Sequence, residues 1–324
     1  MKKKTGKTIK SVNEDIVKDI ASMFINCLEK GEIPWRKPWN SSKSGYISGQ
    51  TGKHYGLINS LILQMHGHDL GEFVTLNQVC TRLKCEKSEA WGHFIKDADG
   101  NFPKSTRIYY RSMVVYTRKD ENGKPMLDEQ GNEIKGKYFL LKSSNVWRVG
   151  TQVNIEPQYI KPVEPNKVNQ NFEADKTFME FSAREKLEIR HTDGSRAFYS
   201  VGRDYVNVPP MENFPDTADY YQVLGHECVH ATGAESRLNR FTKTSVPTET
   251  KQEYSFEELV AEIGSNILLH DNGWDNSKID ERSQAYIQNW IAYLKREPQT
   301  IEKACTFAVK AVERIYGKKP NENE

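Results

Sequence analysis

An α+β fold in two domains is what this chain of 324 residues predicts. Three observations carry that expectation. Helix-period runs and short strand-like runs occur in both halves. Charge is uneven: residues 1–150 hold 25 Lys+Arg against 16 Asp+Glu, a balance of +9, and the remainder holds 21 against 28, a balance of −7. Composition also shifts in IEPQYIKPVEPNKVNQNF, where Pro, Asn and Gln crowd together without apolar periodicity. The chain therefore divides into a basic tail at 1–10, a first domain at 11–154, a linker at 155–172 and a second domain at 173–318. A basic front and an acidic back imply modules with different partners.

The elements follow in order. SVNEDIVKDIASMFINCLEKG carries Ile16, Ile20, Phe24 and Leu28 at steps of four, and Gly31 stops it. IPWRKPWN is extended. HYGLINSLILQMHG and TLNQVCTRLKC read as helices. RIYYRSMVVYTRK and KYFLLKSSNVWRV read as strands around a polar, turn-rich excursion. In the second domain the helix DKTFMEFSAREK precedes the short strands LEIRHT and RAFYSV. DYVNVPP reads as an edge strand, because its prolines cannot donate to a ladder. Helices at 217–233, 254–270, 280–296 and 299–316 close the chain. No internal repeat is visible.

Hydrophobic content of 37% and charged content of 28% fit a soluble globular protein. No apolar run approaches the roughly 20 residues that span a bilayer, and no signal-type stretch follows the basic N-terminus. A cytoplasmic protein with no membrane partner is expected. The five cysteines, Cys27, Cys80, Cys85, Cys228 and Cys305, form no CxxC pair and suggest neither a disulfide framework nor a thiolate zinc cluster.

HECVH occupies 226–230. Residues four apart on a helix share a face about 6 Å apart along the axis, so His226 and His230 can offer nitrogens to one ion. Glu227 stands where a general base takes a proton from water held by the metal. Leu224, Cys228 and Val229 lie opposite, which suits burial and makes Cys228 a small core residue. A catalytic zinc needs three protein ligands and an open position. In the HExxHxxGxxH pattern the third ligand would fall at 236, which is Ser, so that subclass is excluded. The other common solution is a glutamate on a following helix, and YSFEELVAEIGSNILL supplies one. Its stripe is Phe256, Leu259, Val260, Ile263 and Ile267, while Glu258 and Glu262 share a different face. Glu258 is the expected ligand. Glu262 is then an outer carboxylate that accepts the free N–H of a ligand histidine. Glu257 and Glu262 stay open as alternative ligands, because spacing does not separate adjacent turns. One zinc ion (Zn2+) per chain and peptide hydrolysis are expected. DYVNVPP is a candidate to pair with a substrate strand. Tyr199, Tyr205, Tyr220 and Tyr221 are candidates to stabilise an oxyanion.

HECVHATGAESRLNR followed by YSFEELVAEIG resembles the C-terminal zincin-like metallopeptidase module of ArdC-type antirestriction proteins. Thr232, Gly233, Arg237, Leu238, Asn239 and Arg240 match that family's Thr-Gly and Arg-Leu-Asn-Arg elements, and DYVNVPP matches its preceding strand. PWRKPW, TGKHYGLINSLILQ, TLNQV and SSNVWRVGTQV resemble its N-terminal single-stranded-DNA-binding domain. The family's Phe-Asn-x-x-Gln element is altered here across Asn145–Gln152, and EAWGHFIKDADG departs from its Gly-rich stretch. The resemblance covers nearly the whole chain. It implies a protein of a mobile element, active in conjugation or phage entry, that protects incoming DNA from restriction. Its partners would be single-stranded DNA and an unidentified host protein substrate.

Single strands are held by basic grooves and aromatic faces. The first domain interleaves both. Trp35, Arg36, Lys37 and Trp39 fall within five residues, and Lys53 and Tyr55 follow. Strand alternation puts Arg107, Tyr109 and Arg111 on one face and turns Tyr110 inward. Two further readings stay open. One is a DNA-binding protective protein whose metal domain is a non-catalytic interaction module. The other is a small-molecule hydrolase using the same metal.

Overall fold

The computed structural model describes residues 9–36, 45–159, 170–192, 196–214, 216–241, 251–274 and 281–318. Lys37, Trp39, most of the basic tail and most of the predicted linker lie outside these residues. In chain order the first half holds α1 (Ile9–Glu29), β1 (Tyr46–Ser48), α2 (Leu57–Met65), β2 (Gly71–Val74), α3 (Leu76–Leu83), α4 (Lys87–Ala90), β3 (Thr106–Thr117) and β4 (Lys135–Arg148). The second half holds α5 (Gln170–Glu185), β5 (Glu188–His191), β6 (Phe198–Ser200), β7 (Tyr205–Val208), α6 (Thr217–Ala231), α7 (Lys251–Asp271), α8 (Glu281–Arg296) and α9 (Thr300–Ile315). The fold is α+β, as the sequence predicts.

Contacts divide the chain into two compact units, Met1–Ile20 with Val74–Ile155 and Ala21–Phe73 with Glu156–Glu324. Residues 21–73 are thus grouped with the C-terminal half, although in sequence they lie in the first domain.

The first unit is built on an antiparallel ribbon. β3 and β4 pair from Thr106↔Val146 to Thr117↔Lys135. At its base Trp147, Val149 and Val153 pack with Val79, Ala90 and Phe94, and the Trp147 indole N–H donates to the Pro103 carbonyl at 3.0 Å. α3 starts on a capping box, Thr75 with Gln78, which satisfies two backbone donors that a helix start leaves free. On α1, the Asn13 side-chain amide donates to the Phe139 carbonyl at 3.2 Å and accepts from the Leu141 N–H at 2.9 Å. One turn design recurs. The carboxylates of Asp97, Asp120 and Asp128 each accept from the N–H groups two and four residues on.

In the second unit β5 runs parallel to β7, and β6 pairs antiparallel with it. β7 is therefore central, which corrects the edge-strand expectation for DYVNVPP. Pro209 and Pro210 follow the last paired residue, so they terminate the strand rather than mark a free side. α6 and α9 pack on α7. From Glu257 to His270 every residue of α7 but Ile267 is buried. Trp35 is 1% exposed. It stacks on Phe24 of α1 at 6.4 Å and meets Trp290 of α8 edge-on at 5.6 Å. The expectation that Trp35 contacts DNA is overturned, because its ring is enclosed by apolar partners.

Candidate metal centre and nucleic-acid face

α6 is started by Asp216, whose side chain accepts from the Asp219 N–H at 2.9 Å. Leu224, Cys228 and Val229 are buried, as their side of the helix requires. Burial pushes the Cys228 thiol well above its usual range, which suits an inert core residue. α6 and α7 approach closely at Gly264. A Cβ there would stand 2.8 Å from Val229 Cγ2, so only glycine lets the helices meet at this distance.

That approach brings two turns of α6 against one turn of α7. His226 Nε2 and His230 Nε2 are 3.1 Å apart. Glu258 Oε2 is 3.4 Å from His226 Nε2, and Glu258 Oε1 is 3.3 Å from His230 Nε2. Donors at roughly 2.0–2.2 Å from a tetrahedral ion stand roughly 3.3 Å from one another, so this trio fits a small divalent cation. Among the described residues it is the group of three that meets that spacing. The outer nitrogens also face carboxylates. His230 Nδ1 is 3.4 Å from Glu257 Oε1, and His226 Nδ1 is 4.0 Å from Glu262 Oε2. Both glutamates left open by spacing thus lie on the far sides of the rings.

The electrostatics fit the same cation. Glu227, Glu257, Glu258 and Glu262 are all buried, and Arg240 offsets one of these charges through Glu257. Burial acts to lower the pKa of both histidines, but the carboxylates outweigh it. Glu258 holds His226 above its ordinary value, and Glu257 with Glu258 push His230 up to about 10. Burial acts to raise Glu258, yet the two imidazoles hold it well below the carboxylate range. Such a cluster keeps its charges only with protons or a cation among them.

The segment after α6 locks this arrangement. Thr232 Oγ1 donates to the Val229 carbonyl at 2.6 Å. A Cβ at Gly233 would stand 2.6 Å from Phe241 Cζ, so glycine lets that ring close over the turn. Arg237 forks onto Asp204 at 2.8 and 3.0 Å and reaches the Ala231 carbonyl. Arg240 forks onto Glu257 at 3.1 and 2.6 Å. Sequence reasoning matched Arg237 and Arg240 to a family element without giving them a role. The signal was an arginine pair spaced for two acidic partners distant in sequence.

The tyrosine candidates are engaged elsewhere. Tyr199 donates to Asp204 at 2.7 Å, Tyr221 to Asp175 at 2.6 Å, and the Tyr220 hydroxyl lies 2.9 Å from His191 Nε2. Tyr205 lies under the Arg190 guanidinium at 3.9 Å.

On the ribbon, Arg107 and Arg111 are exposed, and Arg107 lies 3.6 Å from Asp19. Tyr109, expected beside them on the DNA face, is buried. Tyr110, expected inward, is 44% exposed. Burial here does not follow the alternation: Ile108 and Tyr109 are buried on opposite faces, while Arg107 and Tyr110 beside them are exposed. The face opposite Arg111 pairs Tyr110 with Lys142, Val114 with Tyr138 and Tyr116 with Gly136, and Tyr116 stands 5.6 Å from Tyr138. In the second unit, Lys53 is exposed and Tyr55 is half-buried, its hydroxyl pushed up to about 12 by burial. Arg36 belongs to the turn Pro34–Arg36.

Residues 14–147 match the N-terminal domain of anti-restriction factor ArdC, and residues 176–306 match a zincin-like metallopeptidase domain. Two proteins described as DNA primase TraC of Escherichia coli are 29% and 28% identical over 92% and 90% of this chain. The chain spans 27% of the first and 19% of the second. The crystal structure of the antirestriction ArdC protein from plasmid R388 is similar in its metal-free form, with a TM-score of 0.67 at 26% identity, covering 94% of this chain and 99% of that one. Its Mn(II)-bound form gives 0.65 at 26% identity, covering 95% and 100%. With both domain matches in order and a whole-chain structural likeness, the chain belongs to the ArdC family of antirestriction proteins, an N-terminal ArdC domain followed by a zincin-like metallopeptidase domain.

Proposed function

We propose that this antirestriction protein binds single-stranded DNA through its N-terminal module and hydrolyses a host protein with its C-terminal one. The observation that carries the second half is the convergence of His226, His230 and Glu258 at 3.1–3.4 Å. These three residues would hold zinc. A divalent ion so held polarises a carbonyl and makes water acidic enough to attack it. Glu227, 8% exposed, follows His226 on the same helix and serves as the base that takes the proton and returns it to the leaving amine. Glu257 holds the outer nitrogen of His230 and Glu262 faces that of His226 at 4.0 Å, and both rings turn Nε2 towards Glu258. A peptide cannot add to β7, which is paired on both sides. β6 keeps a free side in the sheet order β5-β7-β6 and packs against α6, so it is the strand an extended substrate joins.

For DNA, the exposed Tyr110 and Tyr116, with the half-buried Tyr138 and the exposed Lys142, replace Trp35 and Tyr109 as the platform: rings for stacking beside a cation for phosphate. No helix among the described residues is long and apolar enough to cross a membrane, and the site of action proposed is the cytoplasm.

Protein purified without added metal should carry one divalent ion, zinc by elemental analysis. Glu227→Gln should retain that ion and lose hydrolysis by roughly 100-fold to 10,000-fold against candidate host proteins, measured with and without single-stranded DNA. Unchanged antirestriction by this variant in cells would favour the reading in which the metal module is a non-catalytic platform.

A further inference from the structure

We propose that Arg240 is a positioning residue that holds Glu257 against His230 Nδ1 and so keeps Glu257 out of the cation's own ligand set. This rests on the reading that His226, His230 and Glu258 hold a divalent cation. The Arg240 side chain is 3% exposed and makes four charge-assisted contacts. Nε donates to Glu257 Oε2 at 3.1 Å and Nη2 to Glu257 Oε1 at 2.6 Å. Nη1 donates to Thr232 Oγ1 at 2.8 Å and Nη2 to the Val229 carbonyl at 2.7 Å. The first two fork the carboxylate. The last two tie the fork to the end of α6, the helix that carries His230.

Glu257 and Glu258 are neighbours on α7, and both are buried beside His230. Glu258 reaches Nε2 and Glu257 reaches Nδ1. A carboxylate held by two guanidinium bonds cannot swing to the other side of the ring. Arg240 thereby separates the two roles that sequence spacing leaves interchangeable. His226 is held differently: Glu262 stands 4.0 Å from its Nδ1 and is met by the neutral Asn266 amide at 3.4 Å. The two histidines are thus clamped unequally, and the clamp on His230 depends on a residue outside both helices. Lysine would keep the charge and lose the fork.

The test is titration of the metal-free full chain with Mn2+ and with Zn2+, for wild type, R240K, E257Q and the double variant. Each single change is expected to weaken binding about 10-fold to 100-fold. The double variant should weaken it no further than the weaker-binding single, because both changes cut one chain of contacts. Imidazole 15N shifts of the loaded protein should show a proton on His230 Nδ1 in wild type and a weakened hydrogen bond there in both single variants. If R240K does not fold, E257Q and the nitrogen shifts decide alone. R240K or E257Q within about threefold of wild-type affinity, or additive losses in the double variant, overturn the role of Arg240. If wild type itself takes up neither ion, the metal-centre reading falls with it.

Discussion

The β3–β4 ribbon and the α6–α7 pair use the same kinds of residue, charged and aromatic side chains at regular spacing, in opposite ways. On the ribbon beyond residue 110 the side chains of Tyr110, Met113, Tyr116 and Phe139 stand in solvent. Between α6 and α7, three glutamates and two histidines meet at distances of 3.1–4.0 Å, with the buried Glu227 beside His226 in the chain. In dry surroundings a charge persists only beside a partner, so position there implies role. On a wet strand a ring or a cation needs no partner, and its role shows only when a ligand arrives.

The sharpest way to break this contrast is Trp35→Ala. An enclosed ring should cost about 3–5 kcal/mol in urea unfolding, with single-stranded DNA affinity unchanged for the folded protein. A variant that kept its stability and lost DNA would restore Trp35 to the DNA face. Next comes Glu258→Gln, which removes a charged donor from the trio. Divalent-ion affinity should fall at least about 100-fold by competition with a chelator, at or beyond the upper end of what outer partners cost. Tyr110→Ala sharpens the ribbon side. It should weaken single-stranded DNA binding by about 1–3 kcal/mol with little change in stability, whereas Tyr109→Ala should do the reverse.

The smallest effect is a pH dependence. Burial acts to raise the Asp204 pKa, but the Arg237 and Tyr199 hydrogen bonds outweigh it and hold it below its ordinary value. A depressed folded pKa gives stability that is present above the unfolded value, about 4, and is lost as pH falls through the folded one. Asp204→Asn should therefore cost about 1 kcal/mol near neutral pH, and the gap to wild type should close below about pH 4. A gap that persists at pH 3 would show that the carboxylate charge is not what Arg237 needs.

The same contrast explains what was legible in the sequence. His226 and His230 follow from helical period alone, and Glu258 from the second helix, because burial forces regular spacing into convergence. Spacing pointed to Glu258 without closing Glu257; the Arg240 fork onto Glu257, from 17 residues away on a turn, was not visible in it. Prolines 209 and 210 misled because a residue that ends a strand and one that guards a free side look alike in sequence. Tyr109 and Tyr110 misled because alternation predicts which residues share a face and not which of them is covered. The grouping of residues 21–73 with the C-terminal half is a long-range packing outcome, led by Trp35 and Trp290, that no local pattern announces.

The amide of Asn13 has a consequence for how copies of the protein behave in a crowded cell. A single polar side chain occupies backbone positions on β4 that a neighbouring molecule's strand would otherwise seek. An apolar residue at position 13 would unplug them next to Phe139, inviting molecules to stack ribbon upon ribbon into aggregates.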